Sequence, residues 1–214
     1  MNENKDLILA LFDRGMIKFG SFRFKLHEKH PDAPLAPFYI DLRMIRRFPD
    51  VKKMVIDSYV EMIQPLTFDL LADVPTAGTP LVSSISDRLN VGMITPRADK
   101  KTHGSGAKID GVLEEDKGKT AVLVDDLVTQ ADSKFEAAQT LEEFGLKVQD
   151  IVVLVDREQG GRQQLKEKGY TLHAAFTLSD MFVLYKNEGR LTDEEYSDAM
   201  KRLEDLNNFL GLAK

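Results

Sequence analysis

Between residues 49 and 176 the apolar positions switch repeatedly between a helical and a strand-like period. In "PDVKKMVIDSYVEMIQ" apolar side chains stand at 51, 54, 55, 59, 62 and 63, one face of a helix opened by Pro49 and Asp50. Short apolar runs then alternate with further helical patterns. "TFDLLADV", "VGMIT", "TAVLVDDL", "DIVVLVD" and "TLHAAFT" read as strands, and "TPLVSSISDRLN", "SKFEAAQTLEEFG" and "GRQQLKEKG" as helices, the last two stopped by Gly145 and Gly169. Strands so continuously apolar are covered on both faces, which predicts an α/β fold with an open, mostly parallel sheet flanked by helices. Right-handed crossovers then bring the strands' carboxyl ends to one edge.

The flanks follow other patterns. The N-terminal stretch carries an amphipathic helix with Leu7, Ile8, Ala10 and Leu11 facing inward, then two candidate strands. In "FGSFRFKL", Phe22 and Phe24 alternate with Arg23 and Lys25, the mark of a half-buried strand; "PFYIDL" is its partner, and Pro31, Pro34 and Pro37 break the loop between them. After the last strand come two helices around "NEGRLTDEE", with Thr192 as N-cap of the second. With no repeat or long linker, a single domain over 1–214 is expected. It divides into 1–48, a core at 49–176, and C-terminal helices at 177–214.

Composition narrows the function classes. The chain of 214 residues is 43% hydrophobic and 30% charged, an ordinary globular balance, and its net charge of −6 argues against a duplex nucleic-acid partner. The absence of cysteine excludes disulfides, thiolate zinc sites and cysteine nucleophiles, and it fits a reducing cytoplasm. Asp13 and Arg14 interrupt the first apolar run too soon for a signal peptide or a membrane span. His27, Glu28 and His30 in "HEKH" fall one residue short of a helical zinc motif and lie in a Pro-bounded loop. His173, within an apolar strand, reads as a satisfied core histidine.

The predicted carboxyl edge holds the least apolar segments of the core: "DVPTAGTP", "PRADKKTHGSGAKIDG", "DDLVTQADS" and "DREQGG". Ligands of open α/β sheets bind beyond this edge. Asp125 and Asp126 end a buried strand on opposite sides of it, suited to accept hydrogen bonds from sugar hydroxyls or to meet a hydrated Mg2+. The turn that follows, through Thr129 and Ser133, opens a helix whose first amides make an anion site. Sugar hydroxyls beside a phosphate describe a phosphoribosyl group. A lone acidic pair that merely caps a turn is the plainer alternative, and Thr129 and Ser133 weigh against it. In 96–111, Arg97, Lys100, Lys101, His103 and Lys108 among Gly104, Gly106 and Gly111 read as a lid for a polyanion, with a solvated loop as the alternative. Ile109 breaks a dinucleotide fingerprint there, and no P-loop pattern occurs.

Over nearly its whole length the chain resembles the orotate phosphoribosyltransferases, type I phosphoribosyltransferases. "FGSFRFKL…APFYIDLR" is similar to that family's orotate-binding N-terminal hood, "VPTAGTP" to its pyrophosphate loop, and "RADKKTHGSG" to its lid. "VLVDDLVTQADS" resembles the motif for phosphoribosyl pyrophosphate (PRPP), and "VDREQGG" a segment that helps hold orotate. The resemblance implies transfer of the phosphoribosyl group of PRPP to orotate, giving orotidine 5′-monophosphate and pyrophosphate in pyrimidine synthesis. It also implies Mg2+ and a homodimer whose lid reaches the neighbouring site. By the same resemblance Lys101 is the principal catalytic lysine, with Arg97 and His103 on pyrophosphate. Asp125 and Asp126 address the ribose hydroxyls and hydrated metal. PRPP further meets Thr76, Ala77, Gly78 and Lys100 as well as Thr129, Gln130, Ala131, Asp132 and Ser133. Lys25, Phe38, Tyr39 and Arg157 frame orotate. The chain ends soon after its final helix, so no fused decarboxylase is expected.

The resemblance has gaps. Ala98 follows Arg97 where a second basic residue is expected, and Ala77 stands where some relatives carry lysine. The family's T-x-G-[TS]-[SA] is here Thr129-Gln130-Ala131-Asp132-Ser133. Alanine resists angles that glycine accepts. A carboxylate about 4 Å from a phosphate, at an effective dielectric of about 20, costs about 4 kcal/mol. If Asp132 instead turns outward and caps the helix, the site survives. The alternative to an active transferase is therefore a binding or regulatory protein of the same fold with weakened PRPP affinity.

Overall fold

A computed structural model describes residues 2–24, 26–97 and 108–212, which fall into two compact units: 53–177, and 1–52 together with 178–214.

The unit 53–177 is built on strands β3 (Leu70–Asp73), β4 (Met93–Pro96), β5 (Ile109–Asp110), β6 (Thr120–Val128), β7 (Lys147–Asp156) and β8 (Thr171–Thr177). They are hydrogen-bonded in the order β5-β4-β3-β6-β7-β8. Every pairing is parallel except β4 with β5. The helices are α4 (Thr79–Leu89), α5 (Asp132–Phe144) and α6 (Gly161–Glu167), together with α3 (Pro49–Ile63) from residue 53 onward. The apolar runs form central strands because both faces are covered: Val122, Leu123 and Val124 of β6 and Ile151 to Val155 of β7 have no exposed surface. The parallel strands are legible in the sequence as apolar runs, whereas the two-residue β5 is too short to show a period.

Register fixes the rim. Asp73 stands beside Val124, Val124 beside Val152, and Val128 beside Asp156, so β6 projects past the end of β3. Asp125 and Asp126 lie on that projection.

The other unit holds α1 (Asn2–Asp13), an antiparallel pair of β1 (Ile17–Phe22) and β2 (Ala36–Ile40), the short α2 (Leu26–Lys29), α7 (Leu178–Asn187) and α8 (Asp193–Phe209). Rings of Phe12, Phe19, Phe38, Phe182 and Tyr185 pack within 4.8–6.4 Å of one another in its core. Thr192 and Glu195 form a reciprocal capping box at α8 (3.1 and 2.8 Å), as the sequence predicts. β1, however, stops at Phe22. The Phe24 N–H donates to His27 Nδ1 (2.9 Å), and the chain turns into α2 where a loop is expected. His27 Nε2 faces the Pro34 carbonyl at 3.3 Å, so both ring nitrogens serve backbone. Among the described residues no three acidic, histidine or cysteine side chains converge as a metal site, and no helix is long and apolar enough to cross a membrane.

Candidate active site

The strand-end aspartates are the starting point, because a buried carboxylate needs a partner. Asp73 has no exposed surface and accepts from the hydroxyls of Thr79 and Thr95. Asp156, 2% exposed, accepts from Arg162 Nε (2.8 Å) and the Glu158 N–H (2.9 Å). Asp125 is buried as well: Oδ2 accepts from Lys134 Nζ at 2.5 Å, and Oδ1 accepts the Asp126 N–H at 2.8 Å. Asp126 is half-buried beside it, with Oδ1 on the Leu127 N–H (2.8 Å). Burial, and then the neighbouring Asp125 charge, push the Asp126 carboxyl up to about 7, against the pull of Lys134 and the Leu127 amide. Tyr59 of α3 donates its hydroxyl to the Asp125 carbonyl (2.6 Å). Burial and the two aspartates raise that phenol well above its usual range, so it stays a donor.

Beyond β6 the chain turns at Thr129–Ala131 into α5. Ala131 is fully buried with φ −92° and ψ 4°, angles open to any L-residue, so glycine is not required at this position. Its N–H donates to Gln164 Oε1 (2.9 Å), a side chain of α6. The Phe135 N–H bonds back to the Ala131 carbonyl (2.9 Å), and the amides of Asp132, Ser133 and Lys134 precede that first helical bond. Asp132 is exposed and stands as the first residue of α5, the N-cap position itself being held by Ala131. Gln130 and Ser133 are exposed and Thr129 is half-buried.

Two glycines set how closely the neighbouring loops approach. A Cβ at Gly78 would stand 2.9 Å from the Val124 carbonyl, and one at Gly161 2.5 Å from Val128 Cγ2. The loop 74–78, with Thr76 exposed and Ala77 half-buried, is thus pressed on β6 from one side and "DREQGG" from the other. In the latter, the Arg157 N–H donates to the Val128 carbonyl (3.0 Å), and burial lowers its guanidinium to about 10, still cationic at neutral pH.

Arg97 and Lys108 flank the stretch 98–107. They are joined by Arg97 N–H to Lys108 O (2.8 Å) and paired with Asp110 (2.5 Å) and Glu143 (2.7 Å). A cavity of about 320 Å³ brings Arg97, Lys108 and Ser133 together with Pro75 of the loop after β3.

The structure therefore gathers Thr76, Ala77, Gly78, Arg97, Asp125, Asp126, Arg157 and residues 129–133 along one rim of the 53–177 unit. Lys25, Lys100, Lys101 and His103 lie outside the described residues. Phe38 and Tyr39 belong to the other unit. Phe38 is fully buried, edge-on to Phe182 at 5.4 Å, and the Tyr39 hydroxyl accepts from Arg43 Nη2 (3.2 Å). His173 is half-buried rather than core, satisfied by Asp150 (2.7 Å). Sequence reading missed Asp73, Gln164 and Lys134. Lys134 left a signal: it shares a helical stripe with Ala137, Ala138 and Leu141, where an apolar residue is expected.

The sequence profile of the phosphoribosyl transferase domain matches residues 48–173. The bifunctional enzyme PyrF/PyrE of Nostoc sp. is 38% identical over 89% of this chain and 38% of its own length. The orotate phosphoribosyltransferase of Sulfolobus acidocaldarius is 32% identical over 82% of this chain and 85% of its own. Among solved structures, UMP synthase of Leishmania donovani superposes with a TM-score of 0.79 at 32% identity, over 97% of this chain and 42% of that one. The chain thus spans about two fifths of the length of the Nostoc and Leishmania proteins.

Proposed function

The chain belongs to the orotate phosphoribosyltransferase family, and from that premise we propose that it transfers the phosphoribosyl group of PRPP to orotate, giving orotidine 5′-monophosphate and pyrophosphate. The observation that carries the reading is the half-buried Asp126 near the end of β6, a few residues before the open first turn of α5. A ribose hydroxyl at the carboxylate and a 5′-phosphate at the helix amides fit one sugar phosphate.

The chemistry asks little of a base. The glycosidic carbon loses pyrophosphate through an oxocarbenium-like state, and the ring nitrogen of anionic orotate is already nucleophilic. What must be supplied is cationic surroundings for the leaving group. Arg97 exchanges its Asp110 partner for pyrophosphate, the amides of Thr76 and Ala77 approach from the adjoining loop while that of Gly78 stays on the Val74 carbonyl (3.2 Å), and Lys100, Lys101 and His103 complete the set. Within the 53–177 unit, Arg157 supplies the cation for the orotate carboxylate. A resident metal cage does not fit the described residues, since Asp125 is engaged by Lys134. A hydrated Mg2+ carried on PRPP does fit, with Asp126 as the carboxylate to meet its water shell, because Mg2+ keeps several waters and binds largely through substrate phosphates. When bound it would neutralise charge on the pyrophosphate. The same reading carries a cytoplasmic homodimer with the lid, 96–111, shared between sites.

The alternative, a binding or regulatory protein with weakened PRPP affinity, draws on Gln164, whose amide oxygen takes the Ala131 N–H that a phosphate would otherwise use. A steady-state assay with orotate, PRPP and Mg2+ separates the two. Product is expected, with Lys101→Ala depressing kcat more than orotate binding, and no product at saturating PRPP rejects the transferase.

A further inference from the structure

Resting on that reading of the rim, we infer that Lys134 is a positioning residue that makes the two carboxylates unequal: it braces Asp125 to the first turn of α5 and leaves Asp126 as the carboxylate that meets the ribose. The Lys134 ammonium lies 2.5 Å from Asp125 Oδ2, 2.6 Å from the Leu127 carbonyl and 3.5 Å from Ser133 Oγ, and its side chain is 5% exposed. The other Asp125 oxygen holds the Asp126 N–H (2.8 Å), so both oxygens of Asp125 are engaged within the protein. The Tyr59 hydroxyl adds a third restraint through the Asp125 carbonyl (2.6 Å).

An inward lysine on the stripe of Ala137, Ala138 and Leu141 is a costly choice where an apolar side chain would pack. Its geometry accounts for it. The brace runs from the end of β6, where hydroxyls are read, to the start of α5, where the 5′-phosphate lands. It therefore sets the separation of the two subsites. A ligand that spans both gains from that preorganisation, whereas a ligand that uses only the helix amides does not.

The test uses the full chain and calorimetry with two probes, ribose 5-phosphate and inorganic phosphate, beside the transfer assay. Lys134→Met is expected to weaken ribose 5-phosphate roughly 10- to 100-fold, with inorganic phosphate changed less than about threefold. In the assay KM for PRPP rises while KM for orotate does not follow, a split that general destabilisation would not give. Asp125→Asn, which keeps an acceptor for Lys134, covers the case in which Lys134→Met fails to fold. It is expected to lose less ribose 5-phosphate affinity than Asp126→Asn. An equal or larger loss in Asp125→Asn makes Asp125 the ligand and overturns the inference, as does equal weakening of both probes by Lys134→Met. A wild-type chain that binds ribose 5-phosphate yet forms no product refutes the transferase reading and leaves the variants to judge the brace. A wild-type chain that binds no ribose 5-phosphate overturns the brace itself.

Discussion

Gly161→Ala offers a perturbation whose size can be worked from distances. The added methyl would stand 2.5 Å from Val128 Cγ2 and 2.8 Å from the Thr129 carbonyl. Carbon atoms rest at about 3.5–4.0 Å, so Val128 or α6 must retreat by about 1 Å. Val128 has no exposed surface, and its carbonyl is held by the Arg157 N–H (3.0 Å). The Thr129 carbonyl is held by the Gly161 N–H itself (3.0 Å). Relief therefore has to come from backbone, not from the loose end of a side chain. Overpacking of this kind costs about 1–3 kcal/mol. The helix preference of alanine over glycine, worth at most about 1 kcal/mol, offsets part of it. The moved atoms, 128 and 129, lead straight into the turn before α5, so KM for PRPP should rise about tenfold while KM for orotate moves less.

Urea denaturation and steady-state kinetics read the two effects separately, and Gly169→Ala supplies the control. Gly169 has φ +88°, and a methyl added there would meet nothing within 4 Å, so alanine costs about 1–2 kcal/mol of backbone strain with no steric clash. It follows α6, before the N-terminal end of β8, away from the rim. Gly169→Ala should lose stability and keep KM for PRPP. Should Gly161→Ala retain both the wild-type midpoint and the wild-type KM, the claim that the 160–161 turn positions Thr129 is wrong.

The remaining predictions use the acids and their neighbours. Asp126 is raised from 3.8 to about 7 by burial and by Asp125, so the native state keeps a proton that the unfolded chain releases. Its contribution to stability is complete below about pH 4 and is lost as pH rises through about 7. Urea midpoints should show this fall, and Asp126→Asn should flatten it. Asp132→Ser should tighten ribose 5-phosphate about fivefold, the ~1 kcal/mol of a solvent-screened repulsion, while giving up about 0.3–1 kcal/mol of helix-dipole stabilisation; calorimetry showing unchanged or weaker binding counts against the repulsion. Tyr59→Phe removes the buried hydroxyl bond to the Asp125 carbonyl. It should lower the free energy of unfolding by about 1 kcal/mol, and a midpoint unmoved in urea would show that bond to be idle.

The alternation of helix and strand is legible because each parallel strand is buried on both faces and therefore continuous in apolar residues. Asp73, Asp125 and Asp156 mark the strand ends for the same reason, since a charge cannot continue through such a core. The first hood strand ends earlier than its pattern predicts because the Phe22–Phe24 alternation is local, whereas the turn is made by the His27 ring capturing the Phe24 amide. Composition at 131 misleads in a similar way. The family pattern has glycine there, yet the backbone angle in this chain does not need it, and a glutamine from α6 satisfies the amide. That partner lies 33 residues away, a pairing no spacing rule reaches.

Two adjacent carboxylates on a chain already at −6 are explained by what each strand-end acid touches. Asp73 is answered by hydroxyls, Asp156 by Arg162 and Asp125 by Lys134. Farther along the rim Asp110 is answered by Arg97. Asp126 forms no ion pair of its own: Lys134 is bonded to Asp125 and reaches Asp126 only through its charge, so burial and Asp125 leave the Asp126 carboxyl raised. A ribose hydroxyl donating to Asp126 would supply the hydrogen bond that its own neighbours, apart from the Leu127 amide, do not. Beside it the α5 amides present the opposite character, positive at the helix start. An acid with only an amide bond next to an open helix start is matched by a ligand with donors at one end and an anion at the other. A sugar phosphate has both, whereas a free base or a bare polyphosphate has only one. This is why ribose 5-phosphate, rather than pyrophosphate, is the probe that should sense the loss of either Asp126 or the brace beneath it.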